Sequence, residues 1–275
     1  MVLRLATMDL RDDIFMPILS GQTIEREIDI AELYEIFLSD TYKVKAAGAF
    51  PYAPINSTAL TDRALPFVSN TLVMDIDGAE AVKVEKALDR MHFKRTNVQN
   101  DCTGTKLDAV NTALRNCSEL ATAASTAAKS GSDDRFQEYF KTTNSSVRQT
   151  VADRFTAVAT DCSTNSSGAT DTYCNDVYDS CTSNVLAYAV PNNNLIVYCP
   201  IFFDDLPPLA QDCHQQDRAT TVLHEETHNP GVYSPGTMDN GYGYSAATAL
   251  SSSQAVMNAD SYALFANGQS TIRLS

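Results

Sequence analysis

The stretch Thr220-Thr221-Val222-Leu223-His224-Glu225-Glu226-Thr227-His228 is where this chain most plainly offers chemistry. On a helix, residues four apart project from one face a turn from each other, so the His224 and His228 imidazoles can reach a common ion. Glu225 lies beside that face, where its carboxylate can take a proton from a water on the ion. So short a pattern also arises in ordinary helices, and the rest of the chain must support it. A hydrolytic zinc takes a third protein ligand and keeps one position open. No histidine follows His228 and no glutamate follows Glu226, so a downstream third ligand is Asp239 or Asp260. Asp239 is the better of the two. Asn229-Pro230-Gly231 ends the helix, and Gly236, Gly241 and Gly243 let the chain turn back under the ion. Asp260 falls within a helical stretch, NADSYALFA, and faces either the site or solvent.

The elements that must position these residues read as a helical array with little sheet. Residues 215–228 form the helix that carries both histidines. Upstream, Thr105 to Lys129 is rich in Ala and Leu at helical spacing, and Gly131-Ser132-Asp133 breaks it. Residues 133–141 and 146–159 are two further helices, the second opened by the cap signal Asn144-Ser145-Ser146. Residues 163–183 are a polar, cysteine-bearing loop. Residues 185–190 and 195–203 read as strands around Asn192-Asn193-Asn194, and 253–266 as a last helix. Before residue 90 the pattern is different. That part has no cysteine and reads as strands, at Ile24–Ile30 (IEREIDI) and Thr71–Ile76, with a helix after Gly78. Lys94-Arg95 sits where cysteine usage and pattern both change, which predicts a processing site and a division into 1–95 and 96–275.

Bulk properties narrow the function classes. The 275 residues carry a formal net charge of −14, which repels nucleic acid and anionic membrane and draws in cationic partners. No run of eighteen apolar residues is present to span a bilayer. Seven cysteines without a CxxC spacing, together with Asn-x-Ser/Thr sites at Asn56, Asn116, Asn144 and Asn165, point to disulfides and the secretory route. Met1–Asp13 is too interrupted by charge for a signal peptide, so a secreted form implies a start further upstream.

His224-Glu225-Glu226-Thr227-His228, followed by Asn229-Pro230-Gly231-Val232-Tyr233 and by Gly236-Thr237-Met238-Asp239-Asn240-Gly241-Tyr242-Gly243-Tyr244, resembles the deuterolysin (aspzincin) family of secreted fungal zinc metalloendopeptidases. The likeness spans most of residues 96–275, with EYFKTT, NVLAY, LPPLAQ-x-CH and NADSYAL, and DIDGAEA resembles the family's propeptide. It implies an α+β, zincin-like fold: a mostly helical catalytic domain with a small sheet, preceded by a β-rich propeptide. It also implies one Zn2+ per chain on His224, His228 and Asp239, with Glu225 as the base. Tyr242 would polarise the scissile carbonyl, and Asp260 would orient a ligand histidine or attract a basic side chain. Lys-specific relatives add a Glu three residues after that aspartate; Ala263 stands there, which argues against strict Lys specificity, and the chain's acidity leaves a general preference for basic proteins as the expectation.

The same resemblance implies disulfides Cys102–Cys174, Cys181–Cys199 and Cys117–Cys162. Relatives commonly pair the position of Cys213 with a C-terminal cysteine that is missing from the ending QSTIRLS. A segment without cysteine cannot silence a zinc through a thiolate. With 11 basic and 15 acidic side chains, residues 1–95 are not a basic plug either. His214 reads as a cap or surface residue, His92 as solvated, and Glu226 as turned away from the ion. A secreted monomer acting on proteins or peptides follows. The rival is a secreted zinc-binding module without activity, which the intact Glu225 disfavours.

Overall fold

The computed structural model describes residues 2–5, 10, 15–25, 30, 36, 38–61, 63–81 and 98–270. The helix that carries both histidines packs against helices and strands, most of which the sequence pattern announces. Helix α2 (Gly104–Ser130) buries Val110, Ala113, Leu114, Cys117, Leu120, Ala121, Ala124 and Ala128, a stripe at three- and four-residue spacing of which half is alanine. Small side chains let α4 (Ser145–Cys162) lie close along it, with Ser118 and Ser125 hydroxyls donating to the Ala159 and Ala152 carbonyls across the contact. Between them in sequence runs α3 (Asp133–Phe140), capped by Ser132, following the brief α1 (Gly78–Ala81). Asn144 caps α4 by accepting the Ser146 amide.

A four-stranded sheet covers the other side of the histidine helix, in the order β1–β7–β8–β6. Its strands are β6 (Asp171–Tyr173), β7 (Val185–Val190) and β8 (Leu195–Tyr198), joined at the outer edge of β7 by β1 (Val2–Leu5). Strand β1 runs antiparallel to β7 with Arg4 opposite Ala187, and the register slips between Arg4 and Leu5. Two antiparallel ribbons lie among the described residues of the N-terminal segment: β2 (Asp40–Val44) with β5 (Leu72–Ile76), and β3 (Ala47–Pro51) with β4 (Ala64–Val68). The remaining helices are α5 (Pro200–Asp204), α6 (Arg218–His228), α7 (Gly243–Thr248), α8 (Ser252–Val256) and α9 (Ala259–Ser270). This mixture of helices and small sheet is the α+β architecture expected.

Disulfides join Cys102 to Cys174, Cys117 to Cys162 and Cys181 to Cys199. The second ties α2 to α4, and the first closes a loop of 72 residues. Cross-links of this kind each contribute about 2–4 kcal/mol, chiefly by restricting the unfolded chain. No helix among the described residues is long and apolar enough to cross a membrane.

Several expectations are corrected. The apolar run 195–203 is a strand only to Tyr198; Pro200, which fits the first turn of a helix, opens α5. The helix expected from residue 215 starts at Arg218, because Asp217 caps it in a reciprocal box with Thr220. The last helix is two, divided where the Asn258 side chain turns to the neighbouring loop. In the expected strand Ile24–Ile30, Ile24 and Glu25 are outside any strand and Ile30 is helical; residues 26–29 lie outside the described residues. Alternation makes a strand only where a partner supplies ladder bonds and a covered face. Asn116 is buried on α2, where no glycan fits.

Candidate metal centre

Helix α6 is buried over Ala219–His228, so its polar residues must find partners inside the protein or bind an ion. His224 and His228 meet with ring centroids 4.9 Å apart and planes at 79°. Each ring is held by its outer nitrogen. His224 Nδ1 is 3.0 Å from Asp260 Oδ1, and His228 Nδ1 is 3.0 Å from the Thr237 carbonyl. With Nδ1 donating in both, each Nε2 presents a lone pair toward the same point.

The third group arrives on the loop after α6. Gly236 passes so close to the end of the helix that an added Cβ would sit 2.0 Å from the His228 carbonyl oxygen. Glycine is therefore required there for close approach, whereas Gly243 (φ 74°) is required for its backbone angle. The Thr237 amide donates to Thr227 O at 2.9 Å, and the Thr237 and Thr227 hydroxyls are 2.7 Å apart. From that clasp the chain delivers Asp239, whose Oδ1 is 3.1 Å from His224 Nε2 and 3.4 Å from His228 Nε2. Asn258 fixes the far side: its Oδ1 accepts the Asn240 and Gly241 amides, and its Nδ2 donates to Gly241 O.

These atoms fit a zinc ion. Zn–N and Zn–O bonds of about 2.0–2.2 Å at tetrahedral angles separate ligand atoms by about 3.3–3.5 Å, close to both distances found. His224 Nε2, His228 Nε2 and Asp239 Oδ1 are buried with no hydrogen-bond partner among the described residues, the condition of atoms reserved for a metal. Charge states agree at His224 and Asp239, whereas His228 must give up a proton to the metal. Burial, then the Arg4 guanidinium, pushes His224 down to about 3, so its ring is neutral. Asp239 is held far below the carboxylate range despite its burial, by His228 and His224 together. His228 is raised: burial opposes its charge, but Asp239 outweighs it.

Glu225 is fully buried beside the ligands and approaches the Ala189 amide of β7 without a hydrogen bond of normal geometry. Burial, with Asp239 adding, pushes its carboxyl up to about 8, and His228 and Arg4 pull the other way. Tyr242 donates its hydroxyl to Asp239 Oδ2 at 2.6 Å, which places it at the centre; Tyr233 instead packs on Arg154, and Tyr244 donates to Glu138. His214 neither caps a helix nor lies free on the surface. It adopts φ 68°, stacks on Tyr244 at 3.8 Å and contacts the Tyr139 hydroxyl. Lys94, Arg95 and His92 lie outside the described residues.

Glu226 points behind the helix, where its Oε2 accepts from Thr170 at 2.8 Å. Burial first, then the Asp161 carboxylate, lifts its pKa well above the usual glutamate range. The folded protein thus keeps a proton that the unfolded chain releases near pH ~4.3. This stability is complete below that pH and is lost as pH rises toward the folded value. In a pH series of melting temperatures, Glu226→Gln, which cannot ionise, therefore gains on the parent as pH rises above about 4. An equal margin at both ends would remove the reading.

Two residues at this centre escape the sequence. Asn258 is recognisable only by its buried amide. Arg4 is 2 % exposed, ion-pairs with Asp260 Oδ1 and brings Nη1 to 2.6 Å from His224 Nδ1.

The family model for the deuterolysin metalloprotease (M35) family matches residues 1–274. A neutral protease 2 homolog of Phaeosphaeria nodorum is 55% identical over 267 residues, covering 97% of this chain and 73% of that protein. One of Aspergillus oryzae is 52% identical over 264 residues, covering 96% and 73%. A zinc peptidase from Grifola frondosa shares the fold at TM-score 0.50 and 23% identity, over 62% of this chain and 98% of that one.

Proposed function

Because the chain belongs to the deuterolysin metalloprotease (M35) family and is thereby a zinc metalloendopeptidase, we propose that His224, His228 and Asp239 hold one Zn2+ and that Glu225 is its general base. The convergence of three unpartnered ligand atoms, each histidine fixed through its other nitrogen, carries the assignment. When bound, Zn2+ supplies Lewis acidity, making a water nucleophilic near neutral pH and drawing electron density from the scissile carbonyl. Glu225 accepts the proton released by that water and returns it to the leaving amine. Tyr242, whose hydroxyl donates to the ligand Asp239, turns that proton to the oxygen on which negative charge develops. An extended substrate adds to the outer edge of β7, which runs beside Glu225. Asp260, besides orienting His224, gives the pocket a carboxylate for a basic side chain, which supports a preference for basic proteins.

Residues 1–95 are assigned as a pro-segment cut after Lys94-Arg95, and 96–275 as the peptidase domain. Three disulfides support secretion, and one chain supplies every site residue, as a monomer requires. The test treats the full chain with a dibasic-specific convertase, then measures metal by mass spectrometry and hydrolysis of casein. Stoichiometric zinc and proteolysis abolished by a chelator and restored by Zn2+ are expected; chelator-resistant hydrolysis would overturn the reading.

A further inference from the structure

The N-terminal segment touches the metal centre at two places that function as assigned leaves unexplained. Strand β1 fills the outer edge of β7, making the ladder bonds that an extended substrate would otherwise make. The register shifts after Arg4, where Leu5 pairs with Val185 and Leu186 of β7 is the extra residue, so the regular ladder ends at Arg4. Arg4 enters the pocket lined by His214, Thr220, Gly243, Asp260 and Asn267. There its guanidinium shares Asp260 Oδ1 with His224 Nδ1. A buried cation persists only where a partner offsets its desolvation, and Asp260, itself 2% exposed at the side chain, is that partner. On the opposite wall the Ala49 amide donates to Asn240 O at 2.8 Å, in the loop that carries Asp239 and Tyr242. Gly48 lies so close that an added Cβ would be 2.6 Å from Asn240 O.

We infer that β1 is an internal pseudosubstrate: its backbone occupies the substrate's sheet edge, Arg4 occupies the pocket for a basic side chain, and the uncleaved chain is thereby latent. This rests on the reading of the site as the peptidase centre and of residues 1–95 as removable. The device is local. The segment's acidic balance does not matter, since one arginine is delivered to one buried carboxylate. An average over 95 residues is silent about the one that enters the pocket.

The test compares the zinc-loaded full chain with its Arg4→Ala and Arg4→Glu variants on a quenched fluorogenic peptide, before and after convertase cleavage and removal of the N-terminal piece by gel filtration. Each uncleaved variant should exceed the uncleaved parent by roughly 30-fold or more, the cost of truncating one partner of a buried charge pair. After cleavage all three should have the same kcat/KM. Independently, a synthetic peptide of residues 1–9 should bind the cleaved protein by calorimetry and compete with substrate. Its Arg4→Ala form should bind about 30-fold more weakly. Uncleaved variants as silent as the parent, with native melting curves, would overturn the latch, as would equal binding of the two peptides. A cleaved parent that hydrolyses nothing would instead remove the peptidase assignment beneath it.

Discussion

Glu225→Gln lowers kcat/KM by about 10²–10⁴-fold and leaves one zinc per chain. Glutamine keeps the shape and polarity of the side chain, so the packing of α6 is unchanged, but it cannot accept and return a proton. The carboxyl is not a ligand atom: His224, His228 and Asp239 form the ligand cluster, and both Glu225 oxygens stay apart from it. Its pKa, lifted to about 8 by burial in the protein without the ion, falls once a divalent cation lies within a few ångströms, because an adjacent positive charge favours the carboxylate. Zinc uptake therefore releases protons from Glu225 as well as from His228, whose pKa Asp239 raises. Apparent zinc affinity accordingly weakens as pH falls. Proteolysis within threefold of the parent in a zinc-replete Glu225→Gln protein would end the general-base assignment.

The candidate metal centre was legible because its parts lie close together in sequence. His224, Glu225 and His228 occupy one turn of helix, and Asp239 follows after a glycine-bearing loop, so spacing alone brings them near one another. What spacing could not supply was the reason for each glycine. Gly236 is fixed by the His228 carbonyl, and Gly243 by its positive φ. Helix α2 was legible for the same local reason, an alanine stripe at helical period. The run 195–203 misled because a continuous apolar stretch has no period to separate strand from helix; the signal was Pro200, which suits the first turn of α5. Likewise Ser251 and Gln254 form a capping box that marks α8 as a helix separate from α9. Arg4 carried no signal at all. Its meaning depends on pairing with Ala187 and on reaching Asp260, contacts that arise only from the tertiary fold.

Asp239→Ala is expected to lose zinc on desalting and all measurable proteolysis with it, whereas Asp260→Asn keeps the metal and binds it about 10–100-fold more weakly. The contrast follows from where each carboxylate stands. Asp239 Oδ1 faces both Nε2 atoms at 3.1 and 3.4 Å, so its removal leaves two imidazoles, one ligand short of what a hydrolytic zinc retains from its protein. Asp260 instead touches the outer nitrogen of His224, the Gly243 amide and the Arg4 guanidinium. Asparagine there can still accept the Nδ1 proton and hold the ring, but without the negative charge that makes the imidazole a stronger donor to the metal. The sequence leaves these two aspartates as competing third ligands, and competitive chelator titration of the two variants separates them. Equal zinc retention in both proteins, or loss from Asp260→Asn alone, would exchange their roles.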